Sequence, residues 1–319
     1  MTPLNSAKVS LIVPVYNVEN CLANCLNSLC NQTLLDIEIL CVNNNSTDSS
    51  QAILQQFAAQ DSRIVLLDQQ TKGPGAARNT GLEHAAGEIV MFCDSDDCFA
   101  PNACEKVWCE FQESATDAVV FNASLFPELG EIPSWLPWHL NLRPHEYASF
   151  SPEIIFKTPG AFPFVWRNAF SNKLLKTCGV RFAEDMMLAE DALFLMEVYP
   201  HVTQRISVLA DRLYQYRWIR KGSLMDQSSQ DQEQKMAAHL ELIRRVLAYY
   251  EKNKFLDLYG VPLLEWILTF YVPDARSAKV KDGDMHLKLL TTVLEEKGML
   301  RFLSGIRGPA KDTAKHLKR

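Results

Sequence analysis

The sequence lacks the long apolar runs, the phosphate-binding loop and the strong positive charge that mark several large classes of protein. No stretch reaches the roughly 18 to 20 apolar residues of a membrane span, and residues 1–6 lack the basic segment that opens a signal peptide. No G-x-x-x-x-G-K-S/T motif occurs, which argues against a P-loop kinase. The net charge of −6 gives no reason to expect a nucleic-acid partner. We therefore expect a globular protein with no nucleic acid among its partners.

The cysteine pattern is also defined by what is missing. None of the nine cysteines forms a C-x-x-C pair, so zinc and redox motifs are unsupported. Cys25, Cys41 and Cys93 fall on apolar segments, where a reduced cysteine behaves as a small hydrophobic residue. Because disulfides are rare in the cytoplasm, reduced thiols favour a cytoplasmic location.

The first hundred residues alternate between short apolar runs and segments with helical periodicity. Strands are predicted at residues 9–13, 37–42, 64–67 and 89–92, with Pro14 ending the first of them. Alternation at intervals of about 25 residues indicates βαβ units on a mostly parallel sheet, and hence an α/β fold. In such sheets, ligands bind beyond the carboxyl ends of the strands.

The apolar run Ile89–Phe92 is followed within a few residues by three carboxylates, Asp94, Asp96 and Asp97. Clustered carboxylates repel one another, so they persist at low cost only if they are exposed, protonated or neutralised by a cation. Mg²⁺ or Mn²⁺, which prefer oxygen ligands and retain substrate phosphates in their shell, fit this spacing. The alternative interpretation is an ordinary solvated turn, because Asp is among the favoured turn residues.

The second half of the chain is less regular, with two further strands predicted at residues 205–209 and 213–218. Residues 126–164 are rich in Pro, Trp and Phe and predict a long ordered insertion, whose aromatic residues serve either as core filler or as a platform for an acceptor. Glu190 and Asp191 then open an apolar helix, a position that the helix dipole alone could explain. Further helices are predicted from about residue 226, and six Lys or Arg residues against one Asp fall in residues 301–319.

Five motifs in order resemble those of the family-2 glycosyltransferases. Val9–Asn17 reads V-S-L-I-V-P-V-Y-N, Val42–Asp48 reads V-N-N-N-S-T-D, Gly73–Leu82 reads G-P-G-A-A-R-N-T-G-L, Phe92–Asp97 reads F-C-D-S-D-D, and Glu190-Asp191 follows. The resemblance implies a GT-A fold, a Rossmann-like sheet flanked by helices, over residues 1–225. Residues 226–319 would form a helical appendage with a basic tail.

The resemblance also implies an inverting, metal-dependent transferase that uses a nucleotide-sugar donor. Asp96 would bind the Mn²⁺ or Mg²⁺ ion that bridges the donor diphosphate, Asp94 would contact the ribose or a metal-bound water, and Asp191 would be the general base. The residues implied to bind the donor are Pro14, Val15, Tyr16, Asn17, Asn43, Asn44, Lys72, Arg78, Asp94, Ser95, Glu190, Arg217, Arg220 and Ser223.

One departure concerns the base of the nucleotide. The family usually has Asp in one of the first two positions of the loop that here reads Asn43-Asn44-Asn45, where the acid accepts from uracil N3–H. An amide can accept or donate, so uracil is favoured and cytosine stays open.

Two other functions compete with the glycosyltransferase interpretation. A nucleotidyltransferase needs a basic Gly-rich loop directly after the first strand, which residues 14–17 do not provide. A catalytically degenerate sugar-binding module is disfavoured by the intact Asp94, Asp96 and Asp191.

The acceptor is expected to be a glycan or a lipid-linked glycan, as in bacterial surface polysaccharide synthesis. The basic tail, with Phe302, Leu303 and Ile306 beside it, predicts reversible docking on an anionic membrane surface. A frayed chain end is the competing interpretation.

Overall fold

The computed structural model of the protein describes residues 7–113, 115–126, 132, 135–157, 163–218, 231–277 and 280–318. The strands are β1 (Val9–Val15), β2 (Ile37–Asn43), β3 (Ile64–Asp68), β4 (Ile89–Phe92), β5 (Cys98–Phe99), β6 (Thr116–Leu125), β7 (His145–Tyr147), β8 (Asn168–Ser171) and β9 (Arg205–Tyr216). The α-helices are α1 (Leu22–Cys30), α2 (Ser50–Ala58), α3 (Pro74–His84), α4 (Ala103–Glu113), α5 (Trp135–Leu140), α6 (Asn172–Cys178), α7 (Glu190–Val198), α8 (Gln232–Lys252), α9 (Leu256–Ala275), α10 (Gly283–Glu296) and α11 (Gly308–Thr313).

One sheet joins these strands in the order β3-β2-β1-β4-β8-β6-β9-β5, with β7 paired to β9. The predicted parallel unit is confirmed, because β1 pairs in parallel with β2 and β4, and β2 pairs in parallel with β3. Strand β8 runs antiparallel to both of its neighbours, so β6 points the same way as β4, and β9 is parallel to β6. The carboxyl ends of β1–β4, β6 and β9 therefore meet at one edge of the sheet.

The prediction that Pro14 ends the first strand is wrong. Strand β1 continues to Val15, where it pairs with Asn43 of β2. Its pairing with β4 stops at Ile12, opposite Phe92. Pro14 therefore lies where the sheet needs no N–H donor on the β4 side, which removes the usual objection to proline inside a sheet.

Helices cover both faces of the sheet, as the α/β prediction requires. Leu11 and Val13 pack in the core under α1, whereas Ile12, which points the other way, packs in the core under α7 to α10. Helix α3 packs directly against β1, and a Cβ added at Gly81 would lie 2.4 Å from Ile12 Cγ2. The small residues of α3 are thus explained by the close approach of helix and strand.

The apolar face predicted for the first C-terminal helix is confirmed, because Met236, Leu240, Ile243 and Leu247 of α8 are all buried. They share one core with α7 and α9. A domain boundary near residue 225 stays a prediction, because it falls among residues outside the described ranges.

The carboxyl-terminal segment is folded, so the competing interpretation of a frayed end is wrong for residues 299–318. Ile306 is buried, and the ring of Phe302 packs so tightly on α9 that a Cβ at Gly260 would clash with it. Arg301 pairs with Asp257 and Lys315 with Asp312. Membrane docking would therefore depend on basic side chains alone. Among the described helices, none is both long and apolar enough to cross a bilayer.

Candidate active site

The acidic turn follows β4 at the edge where the parallel strands end. Asp94 and Asp96 are partly exposed, whereas Ser95 and Asp97 are buried. The turn is closed by a hydrogen bond from the Asp97 amide to the carbonyl of Asp94. The solvated-turn interpretation is therefore wrong for Asp97, and for Asp94 and Asp96 it stays an alternative to cation binding.

Asp97 points into the protein and is only 1% exposed. Its Oδ2 accepts from the Tyr214 hydroxyl at 2.7 Å, and its Oδ1 accepts from the Arg217 amide at 2.6 Å. Burial raises the pKa of Asp97 well above its ordinary value, and Asp96 and Asp94 raise it further, whereas the two donors act in the opposite direction. Both carboxylate oxygens already have protein donors, so Asp97 is the least available of the three for a cation.

Arg78 of α3 joins the acidic turn to the helix of the predicted base. One guanidinium nitrogen lies 2.8 Å from Asp94 Oδ1 and the other 2.7 Å from Glu190 Oε1. Burial alone would lower the pKa of Arg78, but Asp94, Glu190 and Asp191 raise it above its ordinary value. The predicted role of Arg78 at the base or phosphates stays a prediction, since its two terminal nitrogens are engaged by carboxylates.

Asp191 is partly exposed at the amino terminus of α7. Its Oδ1 accepts from the Ala192 amide at 2.7 Å. Burial, followed by the charge of Glu190, raises the pKa of Asp191 to about 8. Ala189, directly before this pair of acids, has φ 64°, a left-handed conformation that is strained for alanine and that clusters at functional sites in proteins. The geometry thus presents Asp191 as a carboxyl group with high proton affinity beside the acidic turn.

The loops after β1 and β2 are held together by their polar side chains. Asn17, with φ 48°, accepts at its Oδ1 from the Thr47 amide at 2.8 Å. Tyr16, which follows the buried end of β1 at Pro14 and Val15, is 50% exposed. Tyr16 is thus the member of the predicted base pocket that presents a free aromatic face.

The two asparagines predicted to read the base differ sharply. Asn44 is 4% exposed, donates to the carbonyls of Gln69 and Thr71, and accepts from the Gly73 amide at 2.8 Å. Asn43 accepts from the Ser46 amide at 3.2 Å and is partly exposed. Asn44 therefore fixes the loop that leads to α3, and Asn43 is the better placed of the two to meet a base.

Lys72 is exposed beside Gly73, and Arg217 donates through Nε to the Asp96 carbonyl at 2.9 Å. Arg217 also stacks over the ring of Phe126. Arg220 and Ser223, the other members of the predicted closing loop, lie outside the described residues. Arg217 thus lies at the acidic turn, and its predicted role over the donor diphosphate stays a prediction.

Two aromatic residues were missed as parts of this arrangement. Tyr214 was predicted only as a strand residue, yet its hydroxyl accepts from the Asp94 amide at 3.1 Å and donates to Asp97. Trp166 stacks flat on Tyr214, with ring centroids 4.3 Å apart, and is 2% exposed, which favours core filler over an acceptor platform. Trp138 is 59% exposed and keeps the platform interpretation open.

The donor set can be tested against a divalent cation. Within the described ranges, no group of three or more His, Cys, Asp or Glu side chains is arranged to hold a metal. Mg²⁺, however, is usually bound by one or two carboxylates together with substrate phosphates and waters. Asp94 and Asp96, two partly exposed carboxylates on one turn, fit that pattern.

Comparison with known proteins identifies the family. The family model described as Glycosyl transferase family 2 matches residues 10–168. EpsH of Bacillus subtilis (strain 168) is 30% identical over 272 residues, which cover 83% of this chain and 75% of EpsH. The chain belongs to glycosyltransferase family 2.

Two further family comparisons define how far the likeness extends. The glycosyltransferase GlyA of Streptococcus pneumoniae serotype 4 is 35% identical over 225 residues, which are 68% of this chain but 31% of GlyA. The crystal structure of S. aureus TarS residues 1–349 in complex with UDP-GlcNAc superposes with a TM-score of 0.77 at 22% identity, covering 97% of this chain and 88% of that one. The family-2 chain therefore has the GT-A fold, with the C-terminal helices included in the match.

Proposed function

We propose that the protein is an inverting transferase that moves a sugar from a nucleotide diphosphate sugar donor to a hydroxyl group of a glycan, with Asp191 as the general base.

 The observation that carries the proposal is the single guanidinium of Arg78, which ties Asp94 of the acidic turn at 2.8 Å to Glu190, the neighbour of Asp191, at 2.7 Å. This link sets a proton acceptor and an anion-handling turn side by side at the ligand-binding edge of the sheet. The inverting outcome rests on the same arrangement, because direct attack on C1 needs one base and no carboxylate nucleophile.

Asp191 is the general base of the proposed reaction. A sugar hydroxyl is a poor nucleophile, so its proton must be taken as it attacks C1 of the donor sugar. A carboxylate with a pKa of about 8 holds that proton more firmly than an ordinary Asp does. Asp191 must first be ionised, so the reaction is favoured above neutral pH or by any positive charge that arrives with the donor.

The acidic turn is the proposed cation site, with Asp96 and Asp94 as protein ligands for Mn²⁺ or Mg²⁺. When bound, such an ion would neutralise the charge that grows on the departing diphosphate. The charges of the site support the proposal, because three carboxylates lie within four residues on this turn and Arg78 is already paired with Asp94 and Glu190. A diphosphate approaching these acids would otherwise be repelled.

The nucleotide is proposed to lie over the loops after β1 and β2. Tyr16 offers an exposed ring for stacking, and Asn43 offers an amide at the base edge. TarS, whose fold this chain shares, was crystallised with UDP-GlcNAc, which supports a UDP-linked donor here. The acceptor is proposed to be a glycan of a bacterial surface polymer, a class that is supported by the names of relatives such as the poly(ribitol-phosphate) β-glucosyltransferase of Bacillus spizizenii.

The decisive experiment is a screen of UDP-, GDP-, CDP- and dTDP-sugars for nucleotide release, with Mn²⁺, with Mg²⁺ and with a chelator. We expect release from a UDP-sugar that depends on the cation and that is lost in Asp191→Asn. If the protein binds a donor tightly but shows no turnover under any of these conditions, even when a range of glycan acceptors is supplied, the sugar-binding module is favoured instead.

Peripheral membrane contact is a separate proposal for the carboxyl-terminal segment. It rests on exposed basic side chains such as Arg307 and Lys311, because the neighbouring apolar side chains are packed inside. Such contact would be electrostatic and reversible. Co-sedimentation with anionic vesicles at low and high salt tests it, and absence of binding at low salt would refute it.

A further inference from the structure

We propose that Asp97 and Tyr214 are positioning residues that hold the acidic turn in a fixed position relative to Arg217, which directly follows β9. This inference rests on the proposed function, because it assigns a role to residues beside the donor-binding turn. Neither residue contacts the donor in the proposed arrangement. They act through the Asp94–Asp96 turn on one side and through Arg217 on the other.

A chain of hydrogen bonds joins the acidic turn to the end of β9. The Asp94 amide donates to the Tyr214 hydroxyl at 3.1 Å, and that hydroxyl donates to Asp97 Oδ2 at 2.7 Å. The other oxygen of Asp97 accepts from the Arg217 amide at 2.6 Å. The chain thus joins the backbone of the acidic turn to the backbone at the end of β9, through two side chains that are at most 1% exposed.

The side chain of Tyr214 is held in place by its aromatic neighbours. Its ring is stacked on Trp166 at a centroid distance of 4.3 Å and contacts Phe99 edge-on at 5.0 Å. The hydroxyl therefore has a fixed position, which a freely rotating side chain would not provide. The side chain of Arg217 adds another bond to the acidic turn, since its Nε donates to the Asp96 carbonyl at 2.9 Å.

The hydrogen-bond chain fixes the position of the acidic turn relative to Arg217. The turn carries the two carboxylates proposed to hold a cation, and Arg217, directly after β9, is itself a predicted donor contact. A shift of one relative to the other would separate groups that must meet on the same diphosphate. Buried polar groups that are fully paired favour one such geometry, because any alternative leaves a donor or acceptor unpaired.

The test uses the full chain and three variants. Tyr214→Phe removes only the hydroxyl, and Asp97→Asn replaces one acceptor oxygen by an amide group that cannot accept. Tyr199→Phe is the matched control, because Tyr199 is equally buried and donates to Asn168 at 2.6 Å in the core under α7. Hydrogen exchange of the Asp94 and Arg217 amides measures the chain of bonds without any ligand, relative to amides of β1. Calorimetric titration with UDP in the presence of Mn²⁺ measures its consequence.

In Tyr214→Phe we expect the Asp94 amide to exchange about tenfold faster and UDP to bind about tenfold more weakly. The free-energy cost of a buried polar group without a hydrogen-bond partner corresponds to a factor of about this size. Tyr199→Phe should change neither by more than about twofold. The double variant Tyr214→Phe/Asp97→Asn should be no worse than the poorer single variant, because the residues act as one unit.

Unchanged exchange at Asp94 in Tyr214→Phe would overturn the inference. Faster exchange with unchanged UDP affinity would also overturn it, because the bonds would then be structural only. If the unmodified protein binds no UDP, the UDP-dependent form of the proposed function fails, and the exchange data alone decide whether the bonds hold the turn.

Discussion

The strongest prediction concerns Asp191→Asn, which is expected to lose activity and gain stability. The pKa of Asp191 rises from 3.8 to about 8 on folding, so the folded protein binds this proton more tightly than the unfolded chain does. The contribution of Asp191 to stability therefore falls as pH rises from about 4 to about 8, and levels off above that range. Asn carries no titratable proton, so the variant escapes this loss.

The size of the effect follows from the same shift. About four pKa units correspond to an upper limit of roughly 5 kcal/mol, and partial exposure of the side chain reduces this to the order of 1–3 kcal/mol. The opposing contribution of an acid at a helix amino terminus is about 0.3–1 kcal/mol. The loss of hydration is therefore the larger effect, and Asp191→Asn should be the more stable protein at pH 8.

Urea unfolding at a series of pH values checks this prediction. The advantage of Asp191→Asn should vanish near pH 4 and grow towards pH 8, while kcat falls by about 10² to 10⁴ and donor affinity is kept. Asp185→Asn is a control of opposite sign, because Arg245 lowers the pKa of this exposed carboxyl. The small stabilising effect of the Asp185 carboxylate in the unmodified protein is present at neutral pH and is lost as pH falls. A variant at Asp191 that is less stable than the unmodified protein at pH 8 would refute the reasoning.

Three further predictions test other parts of the site. Asp96→Ala should abolish turnover and remove the Mn²⁺ dependence of UDP-sugar affinity, and equal affinity of the unmodified protein with Mn²⁺ and with a chelator would refute the cation proposal. Arg78→Met should destabilise the protein by about 3–5 kcal/mol in urea unfolding, because Glu190 would be left as a buried, uncompensated charge. A loss of stability below about 1 kcal/mol would show that the two ion pairs contribute little. Asn44→Asp should cost about 1–3 kcal/mol, since a carboxylate cannot donate to the Gln69 and Thr71 carbonyls, whereas Asn43→Asp should keep stability and sharpen the preference for UDP over CDP in competition binding.

The parallel half of the fold was predictable because its signals are local. Strands β1 to β4 are continuous apolar runs, and the helices between them carry apolar residues at the helical period. Strand β8 was missed because four residues, Asn168–Ser171, are too short to show any period. Strand β9 was predicted as two strands because Ala210–Arg212 interrupts its apolar pattern. The structure shows register shifts in its pairing with β6 near Asn122, where an irregular ladder accommodates such residues.

The motifs predicted that the candidate site residues gather at the carboxyl edge of the strands, as the structure shows, but not the direction of each side chain. Asp94 and Asp97 are the same residue type in the same turn, yet Asp94 is partly exposed and Asp97 is buried against Tyr214. Asn43 and Asn44 likewise differ only in where the loop turns them. The pairing of Arg78 with Glu190 joins residues 112 positions apart, and no local pattern reports such a contact.

The shared core under α7 to α10 has a practical meaning for anyone who wishes to shorten the chain. Phe92 of β4 and Phe194 of α7 belong to the same continuous apolar cluster as Leu263 and Leu290 of the C-terminal helices. Cutting the chain after β9 would expose apolar side chains of α7 and of residues 153–157, so the fragment should precipitate or associate with itself. A shortened transferase that stays in solution would have to keep these helices, or carry polar residues in place of the apolar ones that the helices cover.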